Sequence, residues 1–141
     1  MTLSPPDIDL PRRKPRRTWK AKFADALRGW KHGIRGEASF FVHFFCAVMV
    51  MAAAVVLQCR PLEWCLLLFC IGLVLTTELF NTALETLVRG LDPRTKERCA
   101  RALDIGAGAV LMACVTAAVI GSLVFLYRLG ALFDWAWAQG W

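Results

Sequence analysis

Three long apolar stretches dominate the hydropathy pattern of the chain, at 40–57, 63–88 and 102–127. Each has more than the roughly 17 residues that a helix needs to cross the hydrocarbon core of a bilayer. His43 is the only acidic or basic residue of the first stretch, and a turn over 58–61 closes it. The pattern therefore predicts three membrane-spanning helices joined by short turns.

A different periodicity precedes the first span, over 19–36. Apolar residues recur there at intervals of three and four, as on one face of a helix, with lysine and arginine between them. This pattern predicts a basic amphipathic helix on the inner surface of the membrane. Packing of the same face against neighbouring helices is an alternative that can hold at the same time. The apolar face consists of Trp19, Phe23, Ala26, Leu27, Trp30 and Ile34.

The two ends of the chain carry no such pattern. Residues 1–18 contain four prolines and several basic residues, which predicts a disordered cytoplasmic tail. Residues 131–141 predict a short aromatic tail at the C-terminus. The region 19–130 between them is expected to form one all-α membrane domain.

Composition agrees with a membrane protein. The 141 residues are 57% apolar and 20% charged, with a mean hydropathy of +0.49, whereas soluble domains are about half apolar. Three spans take up nearly half of a chain of this length, which excludes a separate soluble catalytic domain. The six cysteines show no C-x-x-C spacing, so they predict neither a metal cage nor a redox motif.

The distribution of the net charge of +6 predicts the orientation. Ten of the seventeen lysines and arginines lie in 12–35 and five in 89–101. Basic residues near span ends are retained on the cytoplasmic side. We therefore expect an inner-membrane protein with a cytoplasmic N-terminus and a cytoplasmic basic loop at 89–101. No nucleic-acid partner is expected, because orientation and attraction to anionic lipids explain the same charges.

The second span carries a polar face. Glu78, Asn81, Thr82 and Glu85 lie at offsets of 0, 3, 4 and 7, which places them on one side of a helix. Hydrogen bonding between helices explains Asn81 and Thr82 taken alone. Two carboxylates seven residues apart favour a functional site instead, because an intramembrane acid is costly unless it is paired, hydrated or bound to a cation.

Two further acids flank this region at the cytoplasmic ends of the other spans, Glu37 before the first and Asp104 at the start of the third. Together with Glu78 and Glu85 they place four carboxylates near one membrane interface. Such a set repels itself unless hard cations lie within it, and Mg²⁺ with substrate phosphates suits oxygen ligands of this kind. The alternative is that Glu37 and Asp104 only neutralise helix ends beside arginine and lysine.

The second span resembles a known family. Its segment ELFNTALETLV, from Glu78 to Val88, is similar to the E-x-x-N-[ST]-A-[IL]-E-x-x-V signature of the prokaryotic diacylglycerol and undecaprenol kinases. The segment DIGAGAVL from Asp104 resembles the start of the family's third span. The resemblance covers about 19–127. The family's surface helix and first span are matched by Phe23-x-x-Ala26-x-x-Gly29 followed by Glu37 and His43.

This resemblance implies a homotrimer of three-span protomers with an active site shared between protomers. It implies transfer of the ATP γ-phosphoryl group, with Mg²⁺, to a lipid alcohol such as diacylglycerol or undecaprenol. A catalytically weak or inactive relative that acts in binding or assembly is the alternative. The matching positions imply Glu37 and Glu85 as Mg²⁺ ligands, Glu78 as general base, Asn81 as an orienting hydrogen-bond partner and Asp104 on the nucleotide side.

The chain departs from the family pattern at three positions. Leu103 stands where a lysine usually precedes the aspartate, Arg89 where an aspartate is usual, and Phe41 where an arginine is frequent. Loss of one cation at a transferring phosphate commonly costs ~3 kcal/mol of transition-state stabilisation. Arg89 and Lys96 are the residues that could supply this charge from another direction.

Overall fold

The computed structural model describes residues 18–35 and 38–138, without the side chains of 135–138. This part of the chain forms four helices and no strand. They are α1 (Trp19–Ile34), α2 (Ala38–Val56), α3 (Pro61–Arg89) and α4 (Pro93–Ala138). Three segments are long and apolar enough to cross a membrane, Ala38–Val56, Pro61–Arg89 and Pro93–Asp134. The prediction of an all-α membrane protein with three spans is confirmed. The predicted tail, apart from Thr18, lies outside the described residues, as does Glu37.

Helix α3 is the centre of the bundle. It packs most extensively against α4, and α2 and the end of α1 also lie against it. The small core contains Ala54, Leu67 and Val124, one residue from each spanning helix. Most other large apolar side chains are exposed, which is the arrangement expected of helices whose outer surfaces face lipid or other helices.

Helix α2 ends in a tight turn that is fastened to α4. Gln58 has a φ of 50°, in the left-handed region that L-residues adopt rarely. The Nη2 group of Arg128 donates a hydrogen bond to the Gln58 carbonyl at 2.8 Å, and its Nε donates to Glu63 at 2.6 Å. The Arg60 backbone amide also donates to Glu63, at 2.5 Å. One ion pair thus joins the start of α3, the turn and α4.

The turn between α3 and α4 is much shorter than the predicted basic loop. Only 90–92 separate the two helices, and the basic segment that follows is helical. Asp92 explains the early start of α4, because its side chain accepts hydrogen bonds from the backbone amides of Arg94 and Thr95 at 3.1 and 3.2 Å. Proline at the first helical position, here Pro93, favours the same start.

At its other end, α4 continues beyond the predicted span. The helix has 46 residues and reaches Ala138, so it is roughly 69 Å long and exceeds the ~30 Å hydrocarbon core. Part of the predicted C-terminal tail is therefore helical. Pro93 is the last proline of the sequence, so no proline interrupts α4 after its first residue.

Because the Asp92 carboxylate caps α4, we expect the stability of the first turn of this helix to depend on pH. Hydrogen bonds from the Thr95 hydroxyl and from backbone amides lower the pKa of Asp92, so the ionised form stabilises the fold. This contribution is present above the unfolded pKa of about 3.9 and is lost as the pH falls through the lower folded pKa. We expect Asp92→Ala to increase amide hydrogen exchange over 93–97 several-fold at neutral pH.

Asp92→Asn should retain much of the protection, because asparagine is also a good N-cap. Glu97→Ala is the matched control, since it removes an acid from the same helix without removing the cap. Equal exchange rates in Asp92→Ala and Glu97→Ala would show that the cap does not hold this helix start.

Candidate functional site

The polar face of α3 is directed into the bundle over most of its length. Glu78 and Thr82 are buried, with 4% and 6% of their surface exposed. Asn81 and Glu85 are half-buried. Both α2 and α4 pack against α3, and this face contacts each of them, at His43 of α2 and at Gly106 of α4.

Glu78 is paired with His43 of α2. The Glu78 Oε2 and His43 Nε2 atoms are 3.7 Å apart, and the two side chains are 6% and 18% exposed. This distance is too long for a hydrogen bond and short enough for an ion pair when the imidazole is protonated. The buried acid therefore has a basic residue of the neighbouring span beside it.

Asn81 connects the buried part of the face to its open end. Its Nδ2 group donates a hydrogen bond to Oε1 of Glu85 at 2.9 Å. Its Oδ1 atom is buried with no hydrogen-bond partner among the described residues. A Cβ atom placed on Gly106 of α4 would lie 2.6 Å from this oxygen, so a glycine is needed where α4 passes Asn81.

Glu85 stands at the open end of the face. Its Oε2 atom is 3.2 Å from Nη2 of Arg89, one turn further along α3. The side chains of Glu85 and Arg89 are 37% and 63% exposed. The polar face thus runs from the buried carboxylate of Glu78 to the accessible carboxylate of Glu85, which has Arg89 beside it.

The predicted site residues are brought together only in part. Asn81 and Glu85 are in direct contact, whereas Asp104 is exposed on α4. Glu37 lies outside the described residues. Within the described part of the chain, no three histidine, cysteine, aspartate or glutamate side chains form a group able to hold a metal ion. The metal site therefore stays a prediction.

His43 is not among the site residues predicted from the sequence, although the structure places it against Glu78. The available signal was its position, since it is the only acidic or basic residue of the first span. An ionisable group inside a span is a functional candidate by default, and its partner is the question that sequence leaves open.

An apolar cavity lies between the three spanning helices, with His43 in its wall. Its volume is about 290 Å³, and its lining is almost wholly apolar, with His43 as the one strongly polar residue. Each spanning helix contributes a cysteine to the wall, Cys46, Cys70 and Cys114. The volume is close to the lower end of the range for ligand pockets, ~300 Å³.

Comparison with known proteins identifies the family. Residues 24–125 match the family described as prokaryotic diacylglycerol kinase. The chain belongs to this family. Its match covers most of α1, all of α2 and α3 and most of α4. The resemblance noted in the second span is thereby confirmed, and the family supports a lipid kinase.

Individual relatives carry two different names. The undecaprenol kinase of Bacillus subtilis is 32% identical over 107 residues, which is 76% of this chain and 87% of the relative. The diacylglycerol kinase of a Synechocystis species is 32% identical over 105 residues, or 74% and 60%. The diacylglycerol kinase of Haemophilus influenzae is 30% identical over 101 residues, or 71% and 86%. No solved structure gives a significant match.

The contact between Asn81 and Gly106 predicts a sensitive position. In Gly106→Ala the new methyl group collides with Asn81 Oδ1 and lies 3.3 Å from Leu84, so α4 must shift or the Asn81–Glu85 hydrogen bond must break. We expect a loss of about 1–3 kcal/mol in stability, with a loss of whatever activity depends on Glu85. Thermal unfolding in detergent and a kinase assay measure the two effects.

Gly108→Ala is the matched control, because a Cβ atom on Gly108 meets nothing within 4 Å. It should leave both stability and activity close to those of the wild type. If Gly106→Ala behaves in the same way as Gly108→Ala, close packing at Asn81 is not important.

Proposed function

We propose that this member of the family is an ATP-dependent lipid kinase, which transfers the γ-phosphoryl group of ATP to the hydroxyl of diacylglycerol or undecaprenol. The observation that carries the proposal is the buried Glu78, paired with His43 beside an apolar cavity. A lipid alcohol needs both an apolar site for its chain and a proton acceptor for its hydroxyl. The relatives named as lipid kinases support the same reaction.

Glu78 is the proposed general base. A base must lie within hydrogen-bond reach of the proton that it removes, and a lipid hydroxyl can approach a buried group from the membrane more readily than ATP can. Glu78 lies seven residues, or roughly 10 Å, from Glu85 along the helix. Asn81 lies between them and is proposed to orient the reacting groups through its hydrogen bond to Glu85.

Glu85, with Glu37, is proposed to hold Mg²⁺. The oxygen donors fit a hard cation, and Glu85 is accessible enough to be reached. Its two carboxylate oxygens accept from Asn81 and Arg89, so both partners stay close to any bound ion. Mg²⁺ neutralises charge that develops on the transferring phosphoryl group. Asp104, exposed at the start of the third span, is proposed to act on the nucleotide side.

A homotrimer with a shared site is the assembly that we propose. The buried Glu78 and the exposed Asp104 lie on different helices, and a second protomer is one way to enclose the exposed acid. We further propose an inner-membrane location with a cytoplasmic N-terminus and with α1 on the membrane surface. Exposed Trp19, Phe23 and Trp30 on α1 support this placement, because aromatic residues favour the membrane interface.

A catalytically weak relative is the second candidate, and one observation favours it. Leu103 is half-buried against α3 at the position of the family's lysine. Such a protein would retain the fold and the acids while losing turnover. Activity measurements on the wild type separate the two candidates directly.

The first test is the assay of purified protein with labelled ATP and a panel of lipid alcohols, with and without Mg²⁺. We expect Mg²⁺-dependent phosphorylation of at least one lipid. Glu78→Gln should lower turnover at least a hundredfold, because a general base contributes ~10² to 10⁴ in rate. Nucleotide binding by Glu78→Gln should change little, since Glu78 is buried away from Glu85.

Glu97→Gln is the matched control, an exposed acid on α4 whose replacement should leave turnover unchanged. A wild type that phosphorylates no lipid alcohol would overturn the proposed kinase in favour of the inactive relative. Full turnover in Glu78→Gln would reject only the assignment of the base.

The metal assignment has its own test. Mn²⁺ bound with an ATP analogue should relax the signal of a spin label placed near the end of α3. We expect this effect to be lost in Glu85→Gln and in Glu37→Gln, and to persist in Glu97→Gln. Unchanged Mn²⁺ binding in the first two variants would show that these acids are not the ligands.

A further inference from the structure

A second cavity, of about 390 Å³, lies where α3 ends and α4 begins. Its lining consists of Glu85, Val88 and Arg89 from α3 and Lys96, Ala100 and Leu103 from α4. Two cationic side chains, one carboxylate and three apolar side chains therefore share one space.

The local geometry explains why these residues meet. Glu85, Val88 and Arg89 follow the i, i+3, i+4 spacing of one helical face, and the three α4 residues follow i, i+4, i+7. The turn over 90–92 is short enough to fold one face directly onto the other. The Asp92 cap starts α4 directly after the turn, so Lys96 lies on a helix and lines the cavity.

The charges of the cavity favour an anion rich in oxygen. Guanidinium groups bind phosphate through paired N–H donors, and lysine binds it as a point charge. Arg89 is held at the cavity by Glu85, 3.2 Å away. Leu103 forms part of the apolar wall of the cavity. The positive charges are those of Arg89 and Lys96, the two basic lining residues on either side of the turn over 90–92.

We propose that Arg89 and Lys96 together bind the polyphosphate of the nucleotide in this cavity. The inference rests on the proposed function and extends it to two residues outside the family's usual pattern. Leu103 and Lys96 lie seven residues apart on one face, roughly 10 Å. The cation that the family places at 103 is thus supplied two turns earlier on the same helix and from the end of α3.

An anionic lipid headgroup presents the same phosphate oxygens, and Glu85 distinguishes the two sources. A carboxylate in the cavity repels a lone headgroup phosphate, whereas a nucleotide carrying Mg²⁺ uses a carboxylate and phosphates together. We therefore assign the cavity to the nucleotide.

The experiment measures binding of a non-hydrolysable ATP analogue with Mg²⁺ to the full chain in neutral phosphatidylcholine bicelles. Arg89→Gln and Lys96→Gln should each weaken binding about tenfold, and the double variant about a hundredfold, because hydrogen bonds between charged groups are the strong ones. The KM for ATP should rise in parallel, while the KM for the lipid alcohol stays unchanged. Arg98→Gln, a basic residue of α4 outside the cavity lining, should stay within about twofold of the wild type.

Leu103→Lys in the double variant provides the sharper test. A lysine on the cavity wall should restore about tenfold of the lost affinity, whereas a merely structural role of Arg89 and Lys96 predicts no rescue. Unchanged analogue binding in the double variant would overturn the inference. Tighter binding in Arg89→Gln would also overturn it, because Arg89 would then only neutralise the charge of Glu85.

Two further arms separate the alternatives. Added phosphatidylglycerol should not compete with the analogue, and strong competition that the double variant abolishes would assign the cavity to lipid headgroups instead. A wild type that binds the analogue through Arg89 and Lys96 but phosphorylates no lipid would overturn the proposed kinase while supporting this binding site.

Discussion

A carboxylate inside a membrane-spanning helix has to be paired or neutralised, since an isolated charge in hydrocarbon costs several kcal/mol. His43 on the neighbouring span is the basic residue that the structure places 3.7 Å from Glu78. The contact between His43 and Glu78 requires a particular register between α2 and α3. Helix α4 packs against α3 as well. Gly106 allows that packing, because any larger residue would displace Asn81. Gly106 thus lets α4 pack closely against α3 at the point where the polar face carries Asn81.

The charges along α3 divide the bundle into regions with different chemistry. Near its start, Glu63 is bound to Arg128 and anchors the turn that follows α2. In the middle, Glu78 and His43 lie beside an apolar cavity. At its end, Glu85 and Arg89 open into a cavity that also contains Lys96. The lipid hydroxyl and the polyphosphate of the proposed reaction have opposite solvent preferences, and under that proposal this division would give each a suitable region along the same helix face.

The short connection between α3 and α4 has a consequence for the departures from the family pattern. With a flexible loop over 89–101, Arg89 and Lys96 would have no defined relation to each other. The helical start at Pro93 gives them one, because Asp92 satisfies the first backbone amides of α4. Under the proposed nucleotide binding, leucine instead of lysine at position 103 would then be less costly, since Arg89 and Lys96 line the same cavity. Local helix capping and site chemistry are linked through this turn.

Sequence alone determined the helical class, the three spans and the polar face of α3, because these depend on hydrophobic periodicity and on residue spacing within one helix. The signature from Glu78 to Val88 was sufficient to indicate the family. Only the tertiary structure decided the contacts between helices, such as His43 with Glu78 and Gly106 with Asn81, since spacing within one segment carries no information about its neighbour. The extent of α4 was also decided there. Arginine and lysine after Asp92 resemble a loop in composition, and they form a helix because the Asp92 cap and the packing of α4 on α3 stabilise one.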